Sequence, residues 1–263
     1  MASIKPDYSI FSPEDITKME EITGVPARAM LVQAGLLPAP PAGALVLDNA
    51  CGGGVVAAQL FGAIGPGTTT SDLHVVCGDL EKYMVKSAAE RIEKHGWNAE
   101  AKVVDAQAMP FPDNHFTHTV MNFGIQVIPD NAFKLVVKES FRVLRSGGTI
   151  GFTTWIAPGW LDTFKHGVPT FVEPPLFKSG PTATEESITG LLTGAGFTRV
   201  NVQPIIFEHT DAMVRFLRYM GEMFKTLLAG ETKKEYEEYM KERYGEGDFT
   251  LTWKACVVTA VKP

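Results

Sequence analysis

Short apolar runs alternate with amphipathic segments through the middle of the chain. Met84, Ala88 and Ile92 are spaced four residues apart, which predicts a helix over 81–94 with one buried face. Further helices are predicted at 55–61 and 132–144. The apolar runs predict five strands, at 44–47, 73–77, 102–104, 116–123 and 149–154. Because strands and helices alternate, we expect an α/β fold with a doubly wound, mostly parallel, Rossmann-like sheet.

Both ends of the chain depart from this alternation. Ser12 and Pro13 open a predicted helix, a second short helix is predicted at 26–35, and the run Ser146-Gly147-Gly148 is predicted to stop helix 132–144. Beyond Trp155, prolines and aromatic residues predict an insertion. Helices at 211–228 and 233–244 then lie between two strands, 199–207 and 250–261, that pair as a hairpin-like unit. We therefore expect one domain over 1–263, with an N-terminal helical cap (1–43), a core (44–155) and a C-terminal part (156–263).

Composition narrows the classes of function. The 263 residues carry 24 Lys and Arg against 30 Asp and Glu, a net charge of −6, without a dense basic run, so a nucleic-acid partner is not expected. Three cysteines lack zinc or disulfide spacing and favour a reducing compartment. The first 21 residues have no apolar signal region, and the charge-poor stretch 25–47 contains Arg28 and four prolines. We expect a cytoplasmic protein that does not enter a membrane.

A glycine-rich turn, Asp48-Asn49-Ala50-Cys51-Gly52-Gly53-Gly54, joins the first predicted strand to a helix. Such turns are where doubly wound sheets bind nucleotides, because glycines let a ligand approach the backbone closely. The spacing differs from the dinucleotide pattern Gly-x-Gly-x-x-Gly, since residue 57 is Ala57. Asp48 beside a pyrophosphate would be unfavourable, so a nicotinamide oxidoreductase is disfavoured and a ligand with a cationic end fits better.

Two further acids follow the next two strands. Asp79 ends the second strand, where it can accept from ribose hydroxyls, and Asp105 ends the third, where it can accept from an adenine amino group. Parallel strands bring all three acids to one sheet edge. S-adenosylmethionine, which has a sulfonium, an ammonium and a ribose but no phosphate, is the cofactor that this arrangement predicts.

These motifs, together with Asp105-Ala106 before Met109-Pro110-Phe111 and Leu144-Arg145-Ser146-Gly147-Gly148, resemble the ordered motifs of class I S-adenosylmethionine-dependent methyltransferases. The motif Leu47-Asp48-Asn49-Ala50-Cys51-Gly52 is similar to that of the fungal natural-product branch of this family, which includes the gliotoxin thiomethyltransferase. Asn49-Ala50 departs from the family, where many members have glycine in place of Ala50. The resemblance implies cofactor-binding roles for Asp48, Ala50, Gly52, Gly54, Asp79, Leu80, Met84, Asp105, Ala106, Asn122 and Phe123.

The C-terminal part would then form the acceptor side. Its aromatic and methionine content favours an apolar or aromatic small molecule. The candidate acceptor-binding residues are Gln126, Trp155, Trp160, Phe164, Phe171, Phe177 and Met220, with Met213, Phe216 and Phe224 as further candidates. Core packing is the favoured explanation for Phe216, Met220 and Phe224, which share a helical spacing. His166 could be a general base or an exposed loop histidine, and His209 is a weaker candidate. Methyl transfer needs no metal, and no metal-ligand cluster is encoded.

The predicted function is methyl transfer from S-adenosylmethionine to a sulfur, nitrogen or oxygen atom of a small specialised metabolite, by in-line displacement. Two alternatives remain open: a protein of the same fold that catalyses a non-methylating reaction such as a cyclisation, and a non-catalytic regulatory binding protein. The sequence leaves the oligomeric state undetermined.

Overall fold

A seven-stranded sheet forms the centre of the computed structural model, which describes residues 12–64, 72–128, 130–173, 182, 184–225 and 227–263. The strands lie in the order β3-β2-β1-β4-β5-β7-β6, and β7 runs antiparallel to both its neighbours while the first five strands are parallel. Their bounds are β1 Leu45–Asn49, β2 His74–Asp79, β3 Ala99–Val103, β4 Phe116–Asn122, β5 Leu144–Ala157, β6 Thr198–Ala212 and β7 Asp248–Val261. The predicted doubly wound, mostly parallel fold is confirmed.

Helices cover both faces of this sheet. They are α1 Pro13–Gln33, α2 Val55–Ile64, α3 Lys82–His95, α4 Asp130–Val143, α5 Gly159–Gly167, α6 Glu185–Gly194, α7 Met213–Met223 and α8 Glu231–Tyr244. One core lies under α4 and α6, a second under α1 and α2. A third, rich in aromatic residues, packs α5, α7 and α8 against the start of β7. In the part of the chain that is described, no helix has the length and hydropathy needed to cross a membrane.

The N-terminal region forms one helix, so the prediction of two helices was wrong. Ser12 caps α1 as expected, with its side chain accepting from the backbone amide of Asp15 at 3.1 Å. The helix continues through Pro26, although proline lacks the amide that an interior position normally donates. Three residues before this proline, the Thr23 carbonyl accepts a hydrogen bond from the Nδ2 of Asn122 in β4 at 3.2 Å. Packing against the sheet therefore stabilises a helix that local sequence rules divide.

Two other predictions needed correction. Helix α4 ends at Val143, and the run Ser146-Gly147-Gly148 that was expected to stop it lies inside β5, where the pairing register with β4 shifts. Helix α6 was not predicted at all. It is ten residues long and contains Gly190 and Gly194, which weaken its local helical signal. The hairpin-like pairing of the two last strands, by contrast, is confirmed.

His118 is a buried imidazole in β4 that ties the sheet to the end of α1. Its Nε2 lies 3.2 Å from the Ala34 carbonyl, and burial lowers the pKa of His118 from 6.5 to about 4. Below pH 6.5 the His118 imidazole binds a proton in the unfolded chain, whereas in the folded protein it does so only near pH 4. Stability is therefore complete above pH 6.5 and is lost as the pH falls, by about 3 kcal/mol at pH 4.

This loss can be measured as the free energy of unfolding between pH 7 and pH 4. The wild-type protein is expected to lose stability relative to the variant His118→Gln, whose side chain does not titrate in this range. Parallel stability curves for the two proteins would contradict the assignment of the acid-sensitive group to His118.

Candidate functional site

The turn after β1 has a left-handed backbone at several positions. Ala50, Gly52 and Gly54 have φ angles of +54°, +53° and +85°. A side chain at residue 53 is excluded for another reason, since an added Cβ at Gly53 would lie 2.5 Å from the Cγ2 of Ile16 in α1. The turn is held to β2 by a bond from the Cys51 amide to the Gly78 carbonyl at 3.0 Å. Backbone amides are thereby presented at the carboxyl edge of the sheet.

Ala50 is a strained residue in this turn, because L-residues other than glycine are disfavoured at positive φ. The variant Ala50→Gly is expected to stabilise the protein by about 1 kcal/mol, or a rise of roughly 3 °C in Tm. Thermal unfolding followed by circular dichroism measures this. The matched control is Gly124→Ala, expected to destabilise, because its Cβ would lie 2.6 Å from the Ala50 Cβ and 2.8 Å from Met121. A lower Tm for Ala50→Gly would refute the strain.

Asp48 is fully buried in β1, and among the described residues neither of its carboxylate oxygens has a hydrogen-bond partner. Burial raises the pKa of Asp48 well above its ordinary value, and the neighbouring acids Asp79 and Glu20 add to the effect. A buried charge without a partner is strongly unfavourable. An ionised Asp48 would therefore need a cationic partner beside the turn.

Asp79 ends β2 and connects the glycine turn to the start of α3. Its two carboxylate oxygens accept from the backbone amides of Gly52 and Glu81, each at 2.9 Å. Burial raises the pKa of Asp79, and the two amides oppose that rise. A carboxylate has about four lone-pair positions, so Asp79 retains capacity for two hydroxyl donors.

The other predicted cofactor residues surround these two acids less closely. Asp105 follows β3 by two residues, is half-buried, and accepts from the Gln107 amide at 2.9 Å. Ala106 packs against the core under α4, and Met84 is buried beside Ile16. Leu80 is 53% exposed. The three acids thus lie at or just beyond the ends of three adjacent parallel strands, as predicted. Asp48 lies within β1, Asp79 ends β2, and Asp105 follows β3 and is the most accessible of the three.

Helix α1 lies directly over the turn, which the sequence did not indicate. Arg91 of α3 forms a two-pronged ion pair with Glu20 of α1, in which Nη2 lies 2.7 Å from Oε2. Its Nη1 also donates to the Gly53 carbonyl at 3.2 Å. At the start of α1, Asp15 pairs with Arg218 of α7 and accepts from the Tyr219 hydroxyl at 3.1 Å. The first helix is therefore attached by charged groups to both sides of the site.

The end of β4 is connected to α1 and β5 by a short polar network. The Thr153 hydroxyl donates to the Asn122 Oδ1 at 2.7 Å and accepts from the Phe123 amide at 3.0 Å. Asn122 in turn donates to Thr23, as described above. Phe123 has a φ angle of +58°, which turns the chain sharply at the strand end. Asn122 and Phe123 are thus fixed at the edge where β4 leaves the sheet.

Beyond Phe123 a row of aromatic rings follows, in which the first pair is stacked and the other two are tilted. The Phe123 and Trp155 rings are nearly parallel, with centroids 3.9 Å apart, and Trp253 lies 5.3 Å from Trp155. The centroid of the Phe207 ring lies 6.4 Å from that of Trp155. The Nε1 of Trp253 is buried, and no described residue forms a hydrogen bond with it. Sequence reasoning found Trp155 and missed Trp253, whose position in a plain strand pattern gave no signal.

A second aromatic cluster holds most of the remaining acceptor candidates. Phe164 is fully buried, with its ring 4.8 Å from those of Phe224 and Tyr236 and 5.5 Å from that of Phe171. Trp160 lies 4.8 Å from Phe224, and Met213, Phe216 and Met220 pack in the same cluster. Phe177 and the side chain of Gln126 lie outside the described residues.

The two histidines considered as bases lie elsewhere. The His166 side chain is 62% exposed, and its Nδ1 lies 2.9 Å from the Asp162 carbonyl on the surface of α5. His209 faces Glu21 of α1 at 3.9 Å, and burial lowers its pKa. Across the described ranges, no group of three or more His, Cys, Asp or Glu side chains is placed to hold a metal ion.

The amino-acid sequence is similar to those of known methyltransferases. Residues 46–148 match the family described as a methyltransferase domain. Methyltransferase afvD of Aspergillus flavus is 36% identical over 256 residues, which cover 92% of this chain and 89% of that protein. The acetylaranotin bis-thiomethyltransferase of Aspergillus terreus is 26% identical over 267 residues, 93% of this chain and 92% of that protein.

A solved structure shows the same fold. It is a Bacillus halodurans protein, described as a candidate methyltransferase, with 23% identity and a TM-score of 0.60, covering 90% of this chain and 98% of the other. The identity to the Aspergillus flavus protein extends over nearly the whole of both chains, far beyond the central motifs. The chain therefore belongs to the class I S-adenosylmethionine-dependent methyltransferases, within their fungal natural-product branch.

Proposed function

We propose that this enzyme transfers the methyl group of S-adenosylmethionine to the sulfur atom of a small aromatic or apolar thiol. The single observation that carries the choice of an aromatic or apolar acceptor is the row of aromatic rings formed by Phe123, Trp155 and Trp253, which lies near the glycine turn. The similarity to a bis-thiomethyltransferase supports it. Three buried cysteines without disulfide bonds are consistent with action in the cytoplasm.

The residues of the turn fit S-adenosylmethionine. The partnerless carboxylate of Asp48 matches a ligand with an ammonium or sulfonium group, and the turn amides match its carboxylate. Asp79 would accept from the ribose hydroxyls, and Asp105 from the adenine amino group. Leu80 and Met84 would contact the adenosine, and Asn122 and Phe123 would lie beside the sulfonium. When bound, the cofactor supplies a methyl group that is already activated for displacement.

The chain's own contribution is positioning and the exclusion of water. The aromatic row would hold the acceptor ring beside Phe123, with its sulfur in line with the carbon–sulfur bond to be broken. A thiol with a pKa near 8.5 is partly ionised at neutral pH, and its thiolate is strongly nucleophilic. In the proposed reaction the thiolate would form the new carbon–sulfur bond as the bond from the methyl group to the cofactor sulfur breaks, adenosylhomocysteine would be the leaving group, and the thiol proton would go to solvent. This reaction needs no protein base, which agrees with the exposed position of His166.

The acceptor atom can be tested with probes that differ in one atom. Benzenethiol, aniline and phenol are each incubated with the enzyme and methyl-labelled S-adenosylmethionine, and products are quantified by mass spectrometry. We expect methylation of the thiol to exceed that of the other two by at least roughly 100-fold after correction for uncatalysed rates. Preferred methylation of aniline or phenol would overturn the thiol assignment while leaving methyl transfer intact.

The pH profile then tests whether a protein base takes part. With thiols of different acidity, the midpoint of the profile is expected to follow the pKa of each thiol. A midpoint that stays constant across thiols would instead indicate a protein base. His166→Ala identifies that base directly, since loss of activity with a changed profile would assign the role to His166.

Trp155 separates acceptor binding from cofactor binding. Trp155→Ala is expected to raise the KM for the thiol by roughly tenfold or more, because aromatic stacking and burial contribute about 1–3 kcal/mol. The Kd for S-adenosylmethionine, measured by calorimetry, should change much less. Trp155→Phe keeps an aromatic ring and should recover most of the loss. A larger effect on the Kd than on the KM would place Trp155 in the cofactor site.

A further inference from the structure

A small cavity lies on the opposite face of the sheet from the Asp48 side chain. Residues of β1, β4, β5 and α4 line it, and its volume, measured as the region that the centre of a water molecule can occupy, is about 10 Å³. Most of its lining is apolar, and the described lining residues are all buried, including Phe133, Val136, Ile150 and Phe152. This volume is close to the minimum that holds one water molecule.

Two polar side chains on adjacent strands reach this cavity without partners. Asn49 and Thr119 are each only 2% exposed, and the amide oxygen and nitrogen of Asn49 and the hydroxyl of Thr119 have no hydrogen-bond partner in the part of the chain that the structure describes. Thr119 pairs with Leu47 in the sheet register, so Asn49, two residues further along β1, lies diagonally opposite on the same face. Ser140 of α4 is a third polar residue in the lining.

A dry cavity would leave these three atoms desolvated, and each such atom is unfavourable by an amount comparable to a lost hydrogen bond. Cavities with a wholly apolar lining remain empty. A cavity of this size that contains unpaired polar atoms, as this one does, holds water that makes about three hydrogen bonds. We propose that this cavity is a specific binding site for one water molecule, which bridges Asn49 of β1 and Thr119 of β4 and contacts Ser140 of α4.

The water connects the cofactor side of the sheet to α4. Asn49 lies between Asp48 and Ala50, and successive strand residues point to opposite faces. Holding Asn49 under α4 therefore keeps β1 in register up to the residue where the glycine turn begins. Ile125, which follows the sharp turn at Phe123, also lines the cavity, so the water lies beneath both turns of the site.

A crystal structure of the full chain at about 1.5 Å resolution tests the proposal directly. We expect one density peak at about 2.7–3.2 Å from the Asn49 amide and the Thr119 hydroxyl. An empty cavity would overturn the proposal. So would an ion, which shorter contacts near 2.4 Å and more ligands would reveal.

An isosteric variant gives an independent answer in solution. If the water is present, Thr119→Val removes one of its partners and is expected to lower Tm by about 3 °C. If the cavity is dry, the same change removes an unsatisfied hydroxyl and raises Tm. Thr252→Val, at an exposed position of β7, controls for the change in strand propensity and should shift Tm by less than about 1 °C. A rise in Tm for Thr119→Val above this control would refute the bound water.

Discussion

Replacing Asp79 with alanine is expected to weaken the binding of S-adenosylmethionine by roughly 10- to 150-fold. A hydrogen bond to a charged group contributes about 1.5–3 kcal/mol, and the ribose would lose its carboxylate partner. The substitution also removes the acceptors of the Gly52 and Glu81 amides, so the turn and the start of α3 lose their shared anchor. Isothermal titration calorimetry with the purified protein measures the affinity.

Two further variants give this experiment its controls. Asp79→Asn keeps one acceptor oxygen and should fall between the wild type and Asp79→Ala. Asp248→Ala removes an exposed carboxylate at the start of β7, and its affinity should match that of the wild type. Unchanged affinity in a folded Asp79→Ala protein would exclude Asp79 from the cofactor site.

The second large effect is expected at Asp48, where stability and binding should change in opposite directions. The raised pKa of Asp48 means that the folded, unliganded protein favours the protonated carboxyl. The unfolded chain releases this proton at a lower pH, so stability is complete below the unfolded pKa of about 3.9 and falls as the pH rises above it. Asp48→Asn removes this dependence and should gain stability relative to the wild type as the pH increases.

Cofactor binding should show the reverse pattern. The ammonium or sulfonium group favours the ionised carboxylate, so binding releases a proton and wild-type affinity rises with pH until Asp48 is ionised in the free protein. Asp48→Asn should bind S-adenosylmethionine roughly 10- to 150-fold more weakly at high pH. Titrations from pH 6 to pH 9 in buffers of different ionisation enthalpy count the released proton. Equal affinity in the two proteins, with no proton released, would contradict a cationic partner for Asp48.

Features that depend on local sequence were predicted well. The five parallel strands follow from short apolar runs, and the placement of Asp48 and Asp79 follows from their position at strand ends. Each such signal occupies about ten neighbouring residues, and alternation of strands and helices then restricts the topology. The sheet edge that carries the candidate site is therefore predictable from the sequence.

Features that depend on contacts between distant residues were not predictable in this way. Ile16 meets Gly53, and Trp253 meets Trp155, although nothing in either neighbourhood indicates the other. The continuation of α1 through Pro26 also depends on packing against the sheet, where the Asn122 side chain of β4 donates to the nearby Thr23 carbonyl. In each case tertiary packing determines a structure that local propensity leaves open or opposes.

The position of α1 has a consequence for the speed of turnover. Ile16 of α1 lies against Gly53 of the glycine turn, and ion pairs join this helix to α3 and α7. The Arg218 side chain that pairs with Asp15 is 56% exposed, so dissolved salt screens this pair, whereas the Arg91–Glu20 pair is largely buried and is screened much less. We therefore expect a modest rise in the rate of adenosylhomocysteine release as ionic strength increases, through weaker attachment of a helix that is remote in sequence from the glycine turn.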